Sequence, residues 1–422
     1  MRILLATDHF PPFIGGAHRW GQLLALGLAR RGHEVNVVTE WHAGLPRQER
    51  SGDVTVHRIR QLRTALPRFV GDPRERHSPP FPDPMSIRDL RPIISACAPD
   101  AVLAHGWIAS SVALALAGRG IPLLLSAHDY GYFCATRSLL YRGKTCTGPA
   151  PRKCLGCASE YYGGTAKGAT AVAGVAGSRL VLRRSMAGLQ CVSGFVDEVT
   201  WRNLVGDGVD GRELGRFIIP PFLDTEPVGD ESAADEIASW LAKLPQEPFI
   251  LFVGAIRRTK GVHVLIEAYE LLTNPPPLVL MGTFHEDTPD HFPPGAMALA
   301  SVPHAAVMAA WDRAMMGVAP SIWPEPCATV SIECLSRGKP AIVTVPGGMA
   351  DVVGDGAGIT VPQGDATALA EAMQSLIEDP DLRERLGRRG MMHARRFEGD
   401  VVVSEYERAL GEMVEASGSC AS

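Results

Sequence analysis

The sequence predicts an α/β protein of two facing Rossmann-like domains with a deep cleft between them. Three observations carry this. Short apolar runs alternate with helical patterns, the rhythm of a doubly wound parallel sheet. The rhythm breaks near the middle in the Pro- and Asp-rich "FIIPPFLDTEPVGD" and then restarts. The chain has 422 residues, 46% of them hydrophobic, which exceeds the ~100–200 residues of one domain.

In the first half, "RILLAT" reads as a buried parallel strand, because both faces of such a strand are covered. "AHRWGQLLALGLARRG" follows with helical periodicity and a glycine stop at Gly32. "HEVNVVTE" is the next strand, and "DAVLAHG" and "IPLLLSAHD" bracket the helical "WIASSVALALAGRG". "AGLQCVSGF" is another strand-like run. In the second half "FILFVGA", "PLVLMG", "MGVAPS" and "PAIVTV" are strands. The helices between them are "GVHVLIEAYELL", "AAVMAAWDRA" and "VSIECLSRG". The acidic "DESAADEIASWLAKL" forms a short helix, and "SEYERALGEMVEA" is a final amphipathic one. These elements place an N-terminal domain at 1–216, a connection at 217–246, a C-terminal domain at 247–395 and a terminal helix at 396–422 that packs back on the first domain.

The formal charge of -5 and pI near 6.2 exclude a globally basic nucleic-acid binder. Arg58, Arg60, Arg63, Arg68, Arg74 and Arg76 cluster against Asp72 and Glu75. They read as a solvated loop or as a basic lip for an anionic substrate or membrane surface. No apolar run reaches the ~18 residues of a membrane span. The start "MRILLATDHFPPFIGG" is too short in its apolar part for a signal peptide, so a cytoplasmic protein with reduced thiols is expected. "SRLVLRRSMAGL" reads as a plain helix face or a peripheral membrane contact at the inner face.

Ligands of open α/β sheets lie beyond the carboxyl ends of the strands, so the strand-to-helix turns come next. In "FPPFIGGAHRW", Gly15 and Gly16 stand where a helix N-terminus favours an anion; the alternative is an ordinary tight turn. In "FVGAIRRTKGVHVL", Arg257, Arg258 and Lys260 lie between Gly254 and Gly261, which suits a diphosphate clamp or a basic surface turn. In "PSIWPEPCATVSIECLSRGKP", Glu325 ends a turn and Glu333 lies in the next helix. The amides of Cys327, Ala328 and Thr329 sit near that helix's start. Two carboxylates around such amides suit a ligand with two sets of hydroxyls. Gly206-Asp-Gly208-Val-Asp-Gly211 matches G-x-G-x-x-G but follows no buried strand and carries two acids, so it is not a dinucleotide site.

The E-x7-E string with its small-residue helix and "GKP" resembles the retaining family-four glycosyltransferases of GT-B fold. "PPFIGGAHRWGQLLALGLARRGHEV", "LLSAHDYGYFC", "FVGAIRRTKGVHVLIEA" and "VPGGMADVVGDGAGITVPQGD" are similar to further segments of that family, in its order. The resemblance implies transfer of a sugar from a nucleoside-diphosphate sugar to a glycan, lipid-linked or small-molecule acceptor. Glu333 would grip the nucleotide ribose and Glu325 the donor sugar. The amides of 327 to 329 would hold sugar and phosphate, and Gly16 would lie against the diphosphate. Lys260 and an arginine of its turn would neutralise the leaving nucleotide, and His128 would stand at the reaction centre. The chain departs from the family at Ala255, where arginine is usual, so the phosphate arginine passes to Arg257 or Arg258. Cys327-Ala328 replaces a usual F-G, and Asp351 stands where glutamate is common.

No cofactor is expected at the catalytic centre. Asp379-Pro-Asp381, the one D-x-D string, reads as a helix start rather than a metal site. Cys134, Cys146, Cys154 and Cys157 form C-x11-C-x7-C-x2-C in a Gly/Pro/basic loop, 134–157. The spacing suits structural Zn²⁺; disulfides, an iron–sulfur cluster and free thiols are the alternatives. Cys97, Cys191, Cys327, Cys334 and Cys420 read as isolated small residues. Two other functions compete with glycosyl transfer: nucleotide-sugar epimerisation, active without acceptor, and a non-catalytic sugar-binding scaffold.

Overall fold

"RILLAT" forms β1 (Arg2–Thr7) in the computed structural model, which describes residues 1–8, 10–12, 16–65, 77–206, 213–223 and 231–419. Cys420 therefore lies outside the described residues, as do Gly15, Arg68, Asp72, Arg74, Glu75, Arg76 and most of the Gly206–Gly211 string. The chain divides into two compact units. The first is Met1–Leu139 with Cys146–Pro221 and Gly399–Ser422; the second is Leu140–Thr145 with Phe222–Glu398.

After β1, the strands up to residue 218 are β2 (Glu34–Glu40), β3 (Gln48–Ser51), β4 (Val54–Ile59), β5 (Ala101–His105), β6 (Leu123–Ala127), β7 (Leu140–Tyr141), β8 (Lys144–Thr145), β9 (Gly188–Cys191) and β10 (Gly215–Ile218). Seven of them join β1 in the first unit's eight-stranded sheet, in the order β10-β9-β6-β5-β1-β2-β4-β3. Every pair is parallel except β3–β4 at the edge. β7 and β8 form a separate antiparallel hairpin that belongs with the second unit, where Thr145 Oγ1 donates to Gln363 Oε1 at 3.3 Å. Parallel pairs need crossovers, supplied by helices such as Gly16–Arg30 and Ile108–Leu116. The helix Pro84–Cys97 adds one that the apolar pattern does not announce. Its start is fixed by Asp83, whose carboxylate accepts from the amides of Met85 and Ser86. The last helix, Gly399–Ser419, lies against Gly16–Arg30, and a Cβ on Gly27 would come within 2.5 Å of Val403 Cγ2. Only glycine permits that approach.

The second unit's sheet is fully parallel, in the order β13-β12-β11-β14-β15-β16. Its strands are β11 (Phe249–Val253), β12 (Leu278–Gly282), β13 (Ala296–Ala300), β14 (Ala314–Ala319), β15 (Ala341–Val345) and β16 (Gly358–Pro362). Side chains alternate across it. Phe249 and Leu251 join one core with Trp311, Ile332 and Leu335, while Ile250 and Phe252 join another with Leu265, Leu369 and Met373. Helices therefore cover both faces, as the continuous apolar runs require.

Two expectations need correction. The connection at 217–246 is not a free linker. Residue 217 lies inside β10, the units divide after Pro221, and the helix Glu231–Leu241 packs on His304–Arg313. Leu244 is buried, and Arg313 Nη1 donates to Leu241 O at 2.8 Å, so this stretch is part of the second core. The terminal segment changes units after Glu398, not at 396. The basic lip is also neutralised where it is described: Arg58 pairs with Glu49, Arg60 with Asp89 and Arg63 with Glu40. Among the described residues no helix is long and apolar enough to cross a membrane.

Candidate functional site

The second unit gathers its polar groups at the carboxyl ends of β11 and β14. The turn after β11 closes at Gly261, with φ of 75°. A Cβ there would lie 1.8 Å from Pro320 O, so the turn and the loop after β14 touch through bare backbone. This approach carries Lys260 to Glu325. Lys260 Nζ donates to Glu325 Oε2 at 2.7 Å, and so do Trp323 Nε1 at 2.7 Å and Ser321 Oγ at 3.0 Å. Glu325 is buried, and Gly348 N donates to its carbonyl at 2.8 Å. Neither rotation nor displacement of this carboxylate is cheap once three donors meet on one oxygen.

Glu333 lies in the helix Thr329–Ser336 and is equally buried. Its Oε1 is 3.0 Å from His304 Nε2, at the start of the helix His304–Arg313. Its Oε2 is buried and has no hydrogen-bond partner. The Ala328 amide points to Met349 Sδ at 3.3 Å rather than outward. Thr329 opens the helix, and in its first turn the Ser331 amide donates back to Ala328 O at 3.1 Å. Burial, and then the charges of Glu325 and Asp351, push the Cys327 thiol far up, so it stays protonated.

The three cations of the basic turn have different partners. Lys260 holds Glu325, and Arg257 Nε lies 3.7 Å from Asp287 Oδ1. The Arg258 amide donates to Asp287 Oδ2 at 2.9 Å, while its guanidinium has no carboxylate partner among the described residues. Asp379 accepts from Leu382 N at 2.8 Å as the cap of the helix Pro380–Ala394.

In the first unit, β6 delivers His128 onto a ring cluster. Its imidazole packs edge-on against Trp20 at 4.3 Å and tilted against His105 at 4.5 Å. His128 Nε2 is buried without a partner. Burial lowers its pKa to about 4, against the opposing pull of Asp129, so the ring is neutral at neutral pH. Asp129 accepts from Gly131 N at 2.7 Å and pairs with Arg137. Burial works against that carboxylate's charge, but Arg137 and the Gly131 amide hold its pKa below the usual range. Asp8, directly after β1, accepts from Trp107 N at 2.8 Å and Ile108 N at 2.9 Å and so fixes the loop after β5. Gly16 opens the first helix, and its neighbour Gly15 lies outside the described residues.

The four loop cysteines share a neighbourhood. Ala150 N donates to Cys154 Sγ at 3.3 Å, Cys134 Sγ is 3.4 Å from Thr136 Oγ1, and Cys146 Sγ is 3.5 Å from Gly148 O. Burial raises the Cys157 pKa, and the other three thiols add to the shift. None of the four is joined in a disulfide among the described residues. Among the described residues no three His, Cys, Asp or Glu side chains stand in an arrangement that would hold a metal ion.

His304, Ser321 and Trp323 are the site residues that motif reading passes over. Ser321 and Trp323 lie within four residues of Glu325, so their proximity is readable. His304 is 29 positions from its partner and carries no local signal.

Two family descriptions match the chain in tandem. "Glycosyltransferase Family 4" covers residues 14–150 and "Glycosyl transferases group 1" covers residues 234–392. A D-inositol 3-phosphate glycosyltransferase of Paenarthrobacter aurescens is 26% identical over 91% of this chain and 89% of its own. A glycogen synthase of Mycobacterium tuberculosis is 24% identical over 92% of this chain and 89% of its own. Among solved structures, a sucrose-phosphate synthase of Thermosynechococcus elongatus superposes with a TM-score of 0.69 at 20% identity, covering 98% of this chain and 99% of that one. Anabaena HepE in complex with UDP gives a TM-score of 0.66 at 16% identity, covering 98% and 100%. These structures share the two-domain GT-B fold with this chain.

Proposed function

The chain belongs to the family-four glycosyltransferases of GT-B fold, and we propose that it moves a sugar from a nucleoside-diphosphate sugar to a hydroxyl acceptor with retention of configuration and without a catalytic metal. The observation that carries this is the unpartnered, buried Oε2 of Glu333. A buried carboxylate oxygen without a donor is costly, on the order of 1–3 kcal/mol or more. The vicinal hydroxyls of a ribose supply the donor it lacks.

In this reading the leaving diphosphate takes its positive charge from Lys260 and Arg258. Lys260 is already fixed by Glu325, which leaves little reorganisation when charge develops. Glu325, with one oxygen occupied by three donors, offers its other oxygen to the donor sugar. His128 accepts or donates at a sugar hydroxyl as a neutral ring. The relatives named above bear the names of a glycosyltransferase and of a glycogen synthase, and HepE is solved with UDP, so a UDP-type donor is the first to test.

The test is a thermal-shift series with UDP, GDP, ADP, CMP and dTDP on the wild type and on Glu333→Ala. One nucleoside diphosphate is expected to stabilise the wild type alone, by ~2.7 kcal/mol at about a hundred times Kd. No shift with any nucleotide would overturn the reading. Activity should survive EDTA; loss that Mg²⁺ restores would remove the metal-free part. The reading extends to a structural zinc ion on Cys134, Cys146, Cys154 and Cys157, supported by the C-x2-C spacing and the shared neighbourhood of the thiols. Loading requires the loop to tighten, since among the described residues no three donors yet stand around one point. About one zinc per chain is expected on metal analysis, and chelator-free protein without zinc refuses it.

A further inference from the structure

We propose that one face of the helix Pro380–Ala394, made by Arg385, Arg388, Arg389, Met391 and Met392 and continued by Arg395, docks on an anionic membrane surface. The six side chains line one surface cleft of the second unit. The inference does not depend on the catalytic reading.

The helix is sharply two-sided. Leu386, Gly387, Gly390 and Ala394 are buried, and the helix packs on Thr329–Ser336 through that side. The arginines recur on the opposite side at three- and four-residue spacing. Arg385, Arg389 and Arg395 have no carboxylate partner among the described residues. Arg388 has only Glu384, one turn away at 2.9 Å and exposed, a pair that contributes little. Between these cations stand Met391 and Met392, 49% and 65% exposed. Large apolar side chains exposed singly are ordinary, but an adjacent pair ringed by arginines of which only Arg388 has a carboxylate partner among the described residues is a patch with a chemistry.

Charge complementarity calls for an anionic occupant, because the patch is cationic in a chain of net charge -5. The methionines decide which one. Against a hydrated phosphodiester backbone they would bury nothing. At a bilayer they can enter the boundary between headgroups and acyl chains while the arginines stay at the headgroups. A thioether side chain adapts to such an irregular surface. The other basic-apolar segment of the sequence, Ser178–Leu189, is a weaker candidate: Leu180 is exposed, but Ser178, Leu182, Met186 and Leu189 are buried.

The test is flotation of the purified chain with vesicles of phosphatidylcholine alone or mixed with phosphatidylglycerol, at low and high salt. Binding to the mixed vesicles alone is expected, and it should weaken with salt. Arg385→Glu with Arg389→Glu should lower the partition coefficient at least ~25-fold, at about fivefold per arginine lost. Met392→Asp should lower it several-fold more. Both variants should keep the wild-type Tm and any nucleotide-induced shift, which separates lost docking from lost fold. Absence of flotation with anionic vesicles overturns the proposal, as does flotation that neither variant weakens. Equal retention on heparin, indifferent to Met392→Asp, overturns it too and makes the patch a general polyanion site.

Discussion

The carboxyl ends of the two sheets are built in opposite ways. In the second unit the end of the sheet is a charge network: Lys260 on Glu325, His304 beside Glu333, and Arg257 near Asp287. In the first unit it is a stack of rings, with Trp20, His105 and His128 in mutual contact and the imidazole of His128 kept neutral by burial. One end can meet developing negative charge, and the other can present neutral hydrogen-bonding edges in a dry setting. The contrast teaches that a single reading of "polar site" misdescribes the chain. Each end should fail in its own way when it is altered.

The largest failure is expected at Lys260. Lys260→Ala removes a positioned cation and leaves Glu325 buried with two neutral donors. Transfer activity should fall ~10²–10³-fold in kcat, the usual cost of losing one preorganised donor to transition-state charge. Steady-state kinetics with the donor found by thermal shift checks it. A loss under tenfold would mean that the charge network is structural and the contrast between the two ends is only one of packing.

Glu333→Gln should come next. Gln keeps the shape and the possibility of a His304 contact but loses the charge. Nucleotide affinity should fall ~10–100-fold, the worth of a hydrogen bond to a charged group. The unliganded Tm should hold or rise, since the lone buried Oε2 no longer carries charge. A fall in unliganded Tm without change in nucleotide affinity would make Glu333 a partner of His304 and nothing more.

What could be read in advance divides along the same physical line. Buried parallel strands are legible because both faces demand apolar residues, so "RILLAT", "FILFV" and "AIVTV" declare themselves. The edge strands do not: "QERS" has no apolar residue, and "AMALA" is only half-buried. The glutamate pair was legible from spacing, while its partners were not, since Lys260 is 65 residues from Glu325 and meets it only through Gly261. The ring stack was invisible for the same reason. Trp20, His105 and His128 come from a helix and two strands whose juxtaposition is topological, not sequential. The cysteine spacing was plain, yet the placing of the sulfurs follows a loop with left-handed backbone at Arg137, Leu139 and Arg142, which no spacing rule predicts.

The neutral end can be tested by acid. In the folded chain His128 stays unprotonated down to about pH 4, whereas an unfolded histidine takes its proton near 6.5. Acid therefore favours the unfolded chain. The stability present at neutral pH is lost as pH falls through ~6.5 toward ~4, at about 2 kcal/mol between pH 7 and pH 5. His128→Phe keeps a ring against Trp20 and removes the proton site. Relative to wild type, this variant should gain stability as pH is lowered over that window, seen as a narrowing and then reversal of any Tm deficit. A Tm difference that does not change with pH would mean that the ring is not held neutral, and the contrast between the ends would lose its electrostatic half.

The smallest effect is expected inside the second unit, at Cys327 beside the charge network. The residue is half-buried, and loss of water around its thiol together with the negative charges of Glu325 and Asp351 keeps it protonated. It can serve neither as nucleophile nor as metal ligand in that state. What the site can use at this position is the backbone amide, one residue before Ala328 and the start of the helix Thr329–Ser336. Cys327→Ala keeps that amide and removes only a small apolar atom, so transfer activity should stay within about twofold and Tm should fall by no more than a few degrees. Alkylating reagents should leave this position unmodified in the folded chain, as read by peptide mass mapping. A tenfold loss of activity in Cys327→Ala, or rapid alkylation at neutral pH, would show that the side chain reaches the ligand. The charge network would then have to be redrawn around a thiol.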